Sequence, residues 1–221
     1  MAQSLFITLK NVQPDCQIDV LAPSWSFSLL ERMPEVANAI AMPLSHVLPN
    51  SWKSALIPYF ASIPVRTGYI GECRWGLLND ARKLDKTLLT MTVQRFVALG
   101  LPNSVQLPPE YPIPGLIINP NQQNAVIEKF NLTPSAKILA LCPGAEYGAA
   151  KRWPASYYAE VARHKIDQGW QVWLFGSDKD KEAAEQINKK VDGRCIDFTG
   201  RTSLAEAVDL MSLVNIVVTN D

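Results

Sequence analysis

The chain has 221 residues, of which 48% are hydrophobic and 19% charged, and its formal net charge is +0. This length allows one large domain or two modest ones, and the charge balance argues against nucleic-acid binding through bulk charge. No apolar segment is long enough to cross a bilayer and no signal-peptide pattern is visible, so we expect a cytoplasmic protein without a transmembrane segment.

The first half predicts an incomplete α/β domain. We expect a helix, a strand, a second helix and a short strand, at residues 1–10, 16–23, 26–40 and 39–44, and a further short apolar run at residues 47–50. Two neighbouring parallel strands need a crossover of about a dozen residues, but only Ser45 and His46 separate the last two runs. We therefore expect that a crossover helix is missing at this junction.

The middle of the chain is rich in proline. Six prolines fall within residues 101–120, a density that continues neither a helix nor a central strand. The sequence predicts a partial N-terminal domain, a linker and a partial C-terminal domain, over residues 1–104, 105–120 and 121–221. Before this boundary, Arg66 and Asp80 lie in polar stretches that either face an acceptor cleft or form solvated loops.

The second half predicts a doubly wound α/β domain. Short apolar runs alternate with amphipathic stretches from Ala136 onward, which is typical of a parallel sheet with crossover helices. The predicted helix ends carry matching chemistry. Pro154 suits a first helical position, Gly169 a position just past a helix, and Ser203 with Glu206 a capping box.

The loop CPGAEYGAAKRWP, residues 142–154, follows the first strand of this half and suits an anion. Gly144 and Gly148 would let the backbone approach a ligand closely, and the N–H groups opening the next helix favour negative charge. Lys151 adds a compact cation suited to phosphate oxygens. The alternative is a surface loop whose cations are only solvated.

Three further strand ends leave polar residues on the same predicted edge. Asp178 and Asp180 are candidates for ribose hydroxyls or, alternatively, for helix caps. The stretch Thr199–Thr202 either lines a nucleobase pocket or forms a turn, and the chain ends in Asn220 and Asp221. No GxxxxGK[ST] or GxGxxG motif is present, which argues against a P-loop or a nicotinamide domain.

The histidines and cysteines predict no metal centre. His164 lies in a predicted helix and is expected at the surface or in packing, and His46 has no ligand-like neighbours. The four cysteines are widely scattered, which indicates buried thiols rather than disulfides or metal ligands.

Several segments together resemble the ADP-heptose:lipopolysaccharide heptosyltransferases, glycosyltransferase family 9. The similarity is carried by PGAEYGAAKRWP, LFGSDKD, TGRTSLAEAVDLM and VVTND, and by IDVLAP and VLPNSWKSALIPYF in the first half. It implies an α/β fold of GT-B type with two Rossmann-like domains, the first acceptor-side and the second donor-binding. The implied reaction transfers heptose from ADP-heptose onto the first heptose of the lipopolysaccharide core at the membrane surface. Peripheral association with the inner membrane would accompany it.

The resemblance also implies roles for particular residues. Lys151, with the backbone around Gly144 and Ala145, would stabilise the diphosphate as negative charge builds on the leaving ADP, without a metal or other cofactor. The remaining substrate-binding candidates approach the adenosine, the base or the sugar-diphosphate end, and they are Asp178, Asp180, Thr199, Gly200, Arg201, Thr202 and Asp221.

This chain departs from the family pattern in three places. The family's opening strand and its glycine-rich loop with the general base have no counterpart before Met1, the crossover segment near residue 45 is absent, and nothing follows Asp221. We therefore expect a chain truncated at both ends and internally, in which no residue inherits the role of general base. The alternatives are a non-catalytic nucleotide-binding remnant and a nonfunctional fragment.

Overall fold

The structure, a computed structural model, describes residues 2–41, 52–71, 74–134, 137–145 and 151–220. It divides into two compact units, Met1–Ile117 and Ile118–Asp221, and the division falls inside the predicted linker over 105–120. The junction between residues 44 and 47, where we expect a missing crossover, lies outside the described residues.

The first unit contains two pairs of parallel strands, β1 with β2 and β3 with β4. Its elements are α1 (Ala2–Val12), β1 (Asp19–Ala22), α2 (Phe27–Leu30), β2 (Asn38–Ala41), α3 (Trp52–Phe60), β3 (Thr67–Tyr69), β4 (Asp80–Arg82) and α4 (Thr92–Gly100). Helices α1 and α4 pack closely, because a Cβ at Gly100 would lie only 2.5 Å from Leu5 Cδ1. The N-terminal helix and the first strand are where the sequence predicts them.

The prediction of one helix over residues 26–40 is wrong. Only Phe27–Leu30 is α-helical, and Asn38–Ala41 forms β2, which overlaps the short strand predicted over residues 39–44. Pro34 has no N–H and disfavours the helical conformation of the residue before it. The backbone carbonyl of Arg32 instead accepts a hydrogen bond from the Ile117 N–H at 2.9 Å, and the Arg32 guanidinium donates back to the Ile117 carbonyl at 3.1 Å.

The second unit has a four-stranded parallel sheet with the strand order β7-β6-β5-β8. Its elements are α5 (Pro120–Lys129), β5 (Ile138–Cys142), α6 (Ala155–Asp167), β6 (Gln171–Leu174), α7 (Lys181–Lys190), β7 (Ile196–Asp197), α8 (Leu204–Met211) and β8 (Ile216–Thr219). Strands β5 to β7 are added in one direction, and β8 then returns to the other side of β5. Ligands bind at such a reversal in open parallel sheets, outside the carboxyl ends of the strands.

Both faces of this sheet are covered, as the doubly wound prediction requires. Leu139 and Leu141 pack with residues of α6 and α7, including Tyr158 and Ile187, on one face. The intervening residues of β5 face the opposite way, where they pack with residues of α5 and α8. The alternation follows from the two-residue period of a strand, because successive side chains point to opposite sides.

The second face contains an aromatic core. Trp173 and Phe198 are both fully buried, and their ring centroids lie 5.4 Å apart in an edge-to-face arrangement. Phe175 lies 5.2 Å from Phe198, and Phe130 contacts the same ring at 5.1 Å. Aromatic rings of this kind contribute a large share of a core's stability.

Most predicted helix ends in this unit are confirmed. Gly169 has φ +81 just past α6, and the Ser203 hydroxyl with the Glu206 carboxylate forms the predicted capping box of α8. Pro154 occupies the N-cap position of α6 rather than its first helical position. Helix α5 has no counterpart in the predictions, although Asn119 as N-cap and Pro120 at the first position are standard start signals.

The described cysteines and histidines form no cluster of potential metal ligands. Cys195 is buried, and burial raises the pKa of its thiol to about 12, whereas Cys16 and Cys142 are half-buried. His164 lies 2.9 Å from the Gln168 side chain on the exposed face of α6. The described residues contain no group of three or more potential metal ligands, nor a helix long and apolar enough to cross a bilayer.

Candidate functional site

The carboxyl ends of the strands in the second unit border a cavity of about 480 Å³. The cavity lies at the carboxyl ends of β5 and β6 and beside the residues that precede α8. It is next to the strand-order reversal between β5 and β8. Its lining residues come from these strand ends, from the turns that follow them and from the start of α8, and they are Cys142, Gly144, Ala145, Arg152, Phe175, Gly176, Ser177, Lys179, Asp180, Thr202, Ser203, Leu204 and Ala207.

The Gly144 backbone and the Asp180 carboxylate, which both line this cavity, lie close together. A Cβ at Gly144 would lie 2.5 Å from the Asp180 carboxyl carbon, so only glycine leaves room for that carboxylate. One Asp180 oxygen, Oδ2, accepts hydrogen bonds from the Ser177 N–H and the Ser177 hydroxyl, both at 2.8 Å. Asp180 is therefore both a cap for the turn before α7 and a wall of the cavity.

Asp178 lies beside the cavity and does not line it. Its carboxylate forms an ion pair with Lys181 at 2.7 Å, and this hydrogen bond raises the pKa of Lys181. Gly200 lies directly against the pair, because a Cβ there would stand 2.4 Å from Asp178 Oδ1 and 2.8 Å from Lys181 Cε. Of the two acidic candidates, the structure brings only Asp180 to the cavity.

Gly200 also has a backbone conformation that favours glycine, with φ +64. We expect Gly200→Ala to lower the free energy of unfolding by about 2 kcal/mol, because alanine is strained at positive φ and its methyl group displaces the ion pair. Urea denaturation measures this loss. Gly169→Ala is the matched control, since Gly169 has φ +81 with nothing within 4 Å of a Cβ. An equal loss in both variants would show that the contact with Asp178 and Lys181 has no cost.

Of the candidates predicted to lie near a nucleobase, some line the cavity and others do not. Thr199 is buried, its N–H donates to Asp197 Oδ1 at 2.9 Å, and its hydroxyl has no partner among the described residues. Arg201 donates to the Asp197 carbonyl at 2.9 Å, and its guanidinium lies 5.4 Å from the centre of the Phe130 ring. Only Thr202 of the stretch 199–202 lines the cavity.

Two cationic side chains among the described residues line the cavity: Arg152, which the sequence pairs with Lys151 in the loop expected to suit an anion, and Lys179. Arg152 reaches it and donates to the Ala145 carbonyl at 3.4 Å, and Lys179 contributes from the turn before α7. Lys151 is exposed and does not belong to the lining residues. Gly148 and Asp221 lie outside the part of the chain that the structure describes.

Asn220 is expected from the sequence at a polar strand end on this edge, but no specific role was predicted for it. Its side chain bonds to the backbone of Pro143, Gly144 and Trp153 and to the Tyr158 hydroxyl. Burial raises the pKa of Tyr158, and it also raises the pKa of the neighbouring Cys142 thiol. The position of Asn220 directly after β8 was the available signal, because residues that follow the neighbouring strands β5 and β6 line the cavity.

Arg66 and Asp80 in the first unit have structural contacts. The Arg66 guanidinium donates to the Leu77 and Ile63 carbonyls at 2.7 and 2.6 Å. Asp80 forms an ion pair with Arg82 at 2.8 Å, and hydrogen bonds from Arg82 and then from Thr67 lower the pKa of its carboxyl. These contacts join β3, β4 and the adjoining turns.

Comparison with known families identifies one match that covers most of the chain. The family model for glycosyltransferase family 9 (heptosyltransferase) matches residues 44–221. The lipopolysaccharide heptosyltransferase 2 of Salmonella typhimurium is 43% identical over 254 residues, covering 100% of this chain and 73% of the relative. The enzyme of the same name from Escherichia coli is 42% identical, with the same coverage of both chains.

Solved structures give the same result. The structure of E. coli ADP-heptose lps heptosyltransferase II matches 100% of this chain and 74% of its own, with a TM-score of 0.84 and 40% identity. E. coli heptosyltransferase WaaC with ADP matches 100% of this chain at a TM-score of 0.66 and 15% identity, which supports the fold alone. The alignment with the Salmonella relative spans 254 residues against 221 here, so that relative has residues that this chain lacks within the aligned region.

Proposed function

Since this chain belongs to glycosyltransferase family 9, the heptosyltransferase family, we propose that it transfers heptose from ADP-heptose to the first heptose of the lipopolysaccharide inner core. The transfer inverts the anomeric centre. The two curated relatives above carry the name lipopolysaccharide heptosyltransferase 2 and align with the whole of this chain. The predicted transferase class and the GT-B fold class are thereby confirmed.

The observation that supports this proposal best is the cavity at the strand-order reversal of the second unit. Its volume of about 480 Å³ is within the range of small-molecule sites. Gly144 and Ala145 offer backbone close to the ligand position, and Arg152 and Lys179 supply positive charge. This combination suits the diphosphate of an ADP-sugar.

We assign the diphosphate to the region of Gly144, Ala145 and Lys151, with Arg152 as an additional cation. Negative charge builds on the leaving ADP as the bond between the sugar and the diphosphate breaks. Cations and N–H groups fixed beforehand stabilise that charge more than they stabilise the bound substrate, which lowers the barrier.

The adenosine end is assigned to the other side of the cavity. We assign the ribose hydroxyls to Asp180 and Ser177, which line the cavity, and the base to Thr202 with the adjoining Thr199, Gly200 and Arg201. Asp178 supports this region through its ion pair with Lys181. Asp221, the second residue after β8, is assigned to the sugar-diphosphate end because the family resemblance implies that role.

The acceptor is assigned to the first unit, which serves as the acceptor-side domain, and the second unit serves as the donor-binding domain. The lipopolysaccharide core is displayed at a membrane surface, so we propose a cytoplasmic protein that associates peripherally with the inner membrane. Fractionation of the protein by centrifugation, with and without vesicles that carry lipopolysaccharide, tests the proposed peripheral association.

Incubating the purified chain with ADP-heptose and a heptose-I acceptor tests the proposed function. Acceptor-dependent release of ADP, together with calorimetric binding of ADP, is the expected result, and turnover would contradict the expectation that no residue inherits the role of general base. ADP binding without turnover would instead support the non-catalytic nucleotide-binding module. If neither turnover nor ADP binding is observed in a chain that melts cooperatively, both assignments are contradicted.

We expect Lys151→Ala to raise the Kd for ADP about tenfold, the effect of losing roughly 1.4 kcal/mol of charge-assisted bonding. Isothermal titration calorimetry at low salt measures the change. Lys189→Ala is the control, because Lys189 is an exposed lysine in the last turn of α7, away from the carboxyl ends of the strands. Equal affinities in wild type and Lys151→Ala would remove Lys151 from the diphosphate site.

A further inference from the structure

The Asn220 side chain uses its full hydrogen-bonding capacity at the end of β8. Its amide nitrogen donates to the Pro143 carbonyl at 2.7 Å and to the Gly144 carbonyl at 3.2 Å. Its oxygen accepts from the Trp153 N–H at 2.9 Å and from the Tyr158 hydroxyl at 3.1 Å. An asparagine amide has two donors and accepts through two lone pairs, so all four are used.

These partners lie at both ends of the segment that joins β5 to α6. Pro143 and Gly144 follow β5 directly, and Trp153 comes just before α6 begins at Ala155. Asn220 itself follows β8, the strand that pairs with β5 across the order reversal. One side chain therefore fastens the start and the end of this segment to the neighbouring strand.

The bonds to the two carbonyls also orient the backbone donors. In a planar trans peptide the C=O and the following N–H point in opposite directions. Because Asn220 holds the Pro143 and Gly144 carbonyls toward itself, the N–H groups of Gly144 and Ala145 point away from it. Neither N–H donates a hydrogen bond within the described part of the chain, and both residues line the cavity.

The bond to Trp153 acts in the same way on the cationic side. The Trp153 N–H belongs to the peptide unit whose carbonyl comes from Arg152, so the Asn220 oxygen fixes the backbone that carries the Arg152 side chain. Arg152 lines the cavity, and Asn220 does not belong to its lining residues. Asn220 can thus influence the cavity without touching a ligand there.

We infer that Asn220 is a positioning residue, which orients the Gly144 and Ala145 N–H groups and the Arg152 backbone for a nucleoside diphosphate. This inference rests on the proposed function, because the ligand is the ADP part of the donor. Asparagine is required chemically. Aspartate keeps the acceptor for Trp153 and Tyr158 but has no donor for the two carbonyls, and alanine has neither.

The test compares Asn220→Ala and Asn220→Asp with wild type and with Asn215→Ala. Asn215 is the matched control, since it precedes the same strand at its amino end and its side chain accepts from the Ile138 N–H at 2.8 Å. Thermal melts measure stability, hydrogen exchange follows the Trp153 amide, and calorimetry gives the Kd for ADP. Initial rates give kcat and KM for ADP-heptose.

We expect Asn220→Ala to lose protection of the Trp153 amide and to raise the Kd for ADP at least tenfold. Asn220→Asp is expected to keep that protection and still lose at least tenfold in ADP affinity, because the carbonyls are released. In both variants kcat should fall more than KM for ADP-heptose rises, because the oriented N–H groups stabilise the leaving ADP more than the bound substrate. Asn215→Ala should bind ADP within twofold of wild type even where its melting temperature drops equally.

The outcomes separate this inference from the proposed function. Wild type that does not bind ADP contradicts the proposed function, and the positioning role with it. Wild type that binds ADP, together with Asn220→Asp of unchanged affinity, overturns the positioning role alone. A loss of affinity in Asn215→Ala that matches its loss of stability would also overturn it, because general destabilisation would then explain both.

Discussion

Arg152→Glu is expected to raise the Kd for ADP about 100-fold, equivalent to about 3 kcal/mol of binding free energy. Arg152 is one of two cations that line the cavity beside Gly144 and Ala145. The substitution removes charge-assisted hydrogen bonds to the diphosphate and places a carboxylate where phosphate oxygens are expected. Calorimetry at two salt concentrations measures the change, and higher salt should reduce the difference between variant and wild type.

Arg194→Glu is the control for net charge. Arg194 forms an ion pair with Asp167 at 3.2 Å and precedes β7, so it lies at the amino ends of the strands rather than at the cavity. Both variants change the charge of the chain equally. ADP affinity lost to the same degree in both would mean that long-range charge dominates and that Arg152 has no specific contact.

The parallel sheet of the second unit could be predicted because its local signals agree. Apolar runs of strand length, helix caps such as Ser203 and terminators such as Gly169 all indicate the same alternation. Parallel strands bring their carboxyl ends to one edge, so the location of the cavity also follows from the sequence. The order of the strands does not, because it depends on tertiary packing.

The two errors in secondary structure have different causes, and the first combines a local signal with a distant contact. Residues 26–40 contain enough apolar positions for a helix, but Pro34 ends it, and Arg32 pairs with Ile117, 85 residues away. A single sequence does not show that contact. Helix α5 was missed although its start signals are local, because Asn119 and Pro120 fall within the segment predicted as a proline-rich linker.

Within the site, the sequence identified the loop but not its geometry. Gly144 and Ala145 line the cavity, and Arg152 rather than the neighbouring Lys151 reaches it, whereas their roles toward a ligand stay predictions. The side chains of adjacent residues point in different directions, which depend on the local backbone conformation. The spacing of a sequence motif does not determine those directions. Asn220 is a similar case, because its importance comes from four contacts that span 62 to 77 positions in the chain.

Trp173→Ala is expected to lower the free energy of unfolding of the second unit by about 3–5 kcal/mol. Trp173 is fully buried among Phe175, Phe198 and Leu210, and alanine would leave a cavity there and remove the edge-to-face contact with Phe198. The loss should appear in hydrogen exchange as faster opening of the slowest amides in β5 and β6. Most of the stability of a domain this size depends on such a core, so partial unfolding at moderate temperature is expected.

Two controls make this result specific. Trp75→Ala removes a tryptophan of the first unit that is 74% exposed, and we expect a change within about 0.5 kcal/mol. Trp173→Phe keeps an aromatic ring and also removes the indole N–H, which is buried without a hydrogen-bond partner among the described residues. Its loss should be well below that of alanine, because an unpaired buried donor destabilises the native state. Equal losses in Trp173→Phe and Trp173→Ala would show that the indole itself, rather than filled volume, stabilises the sheet that carries the cavity.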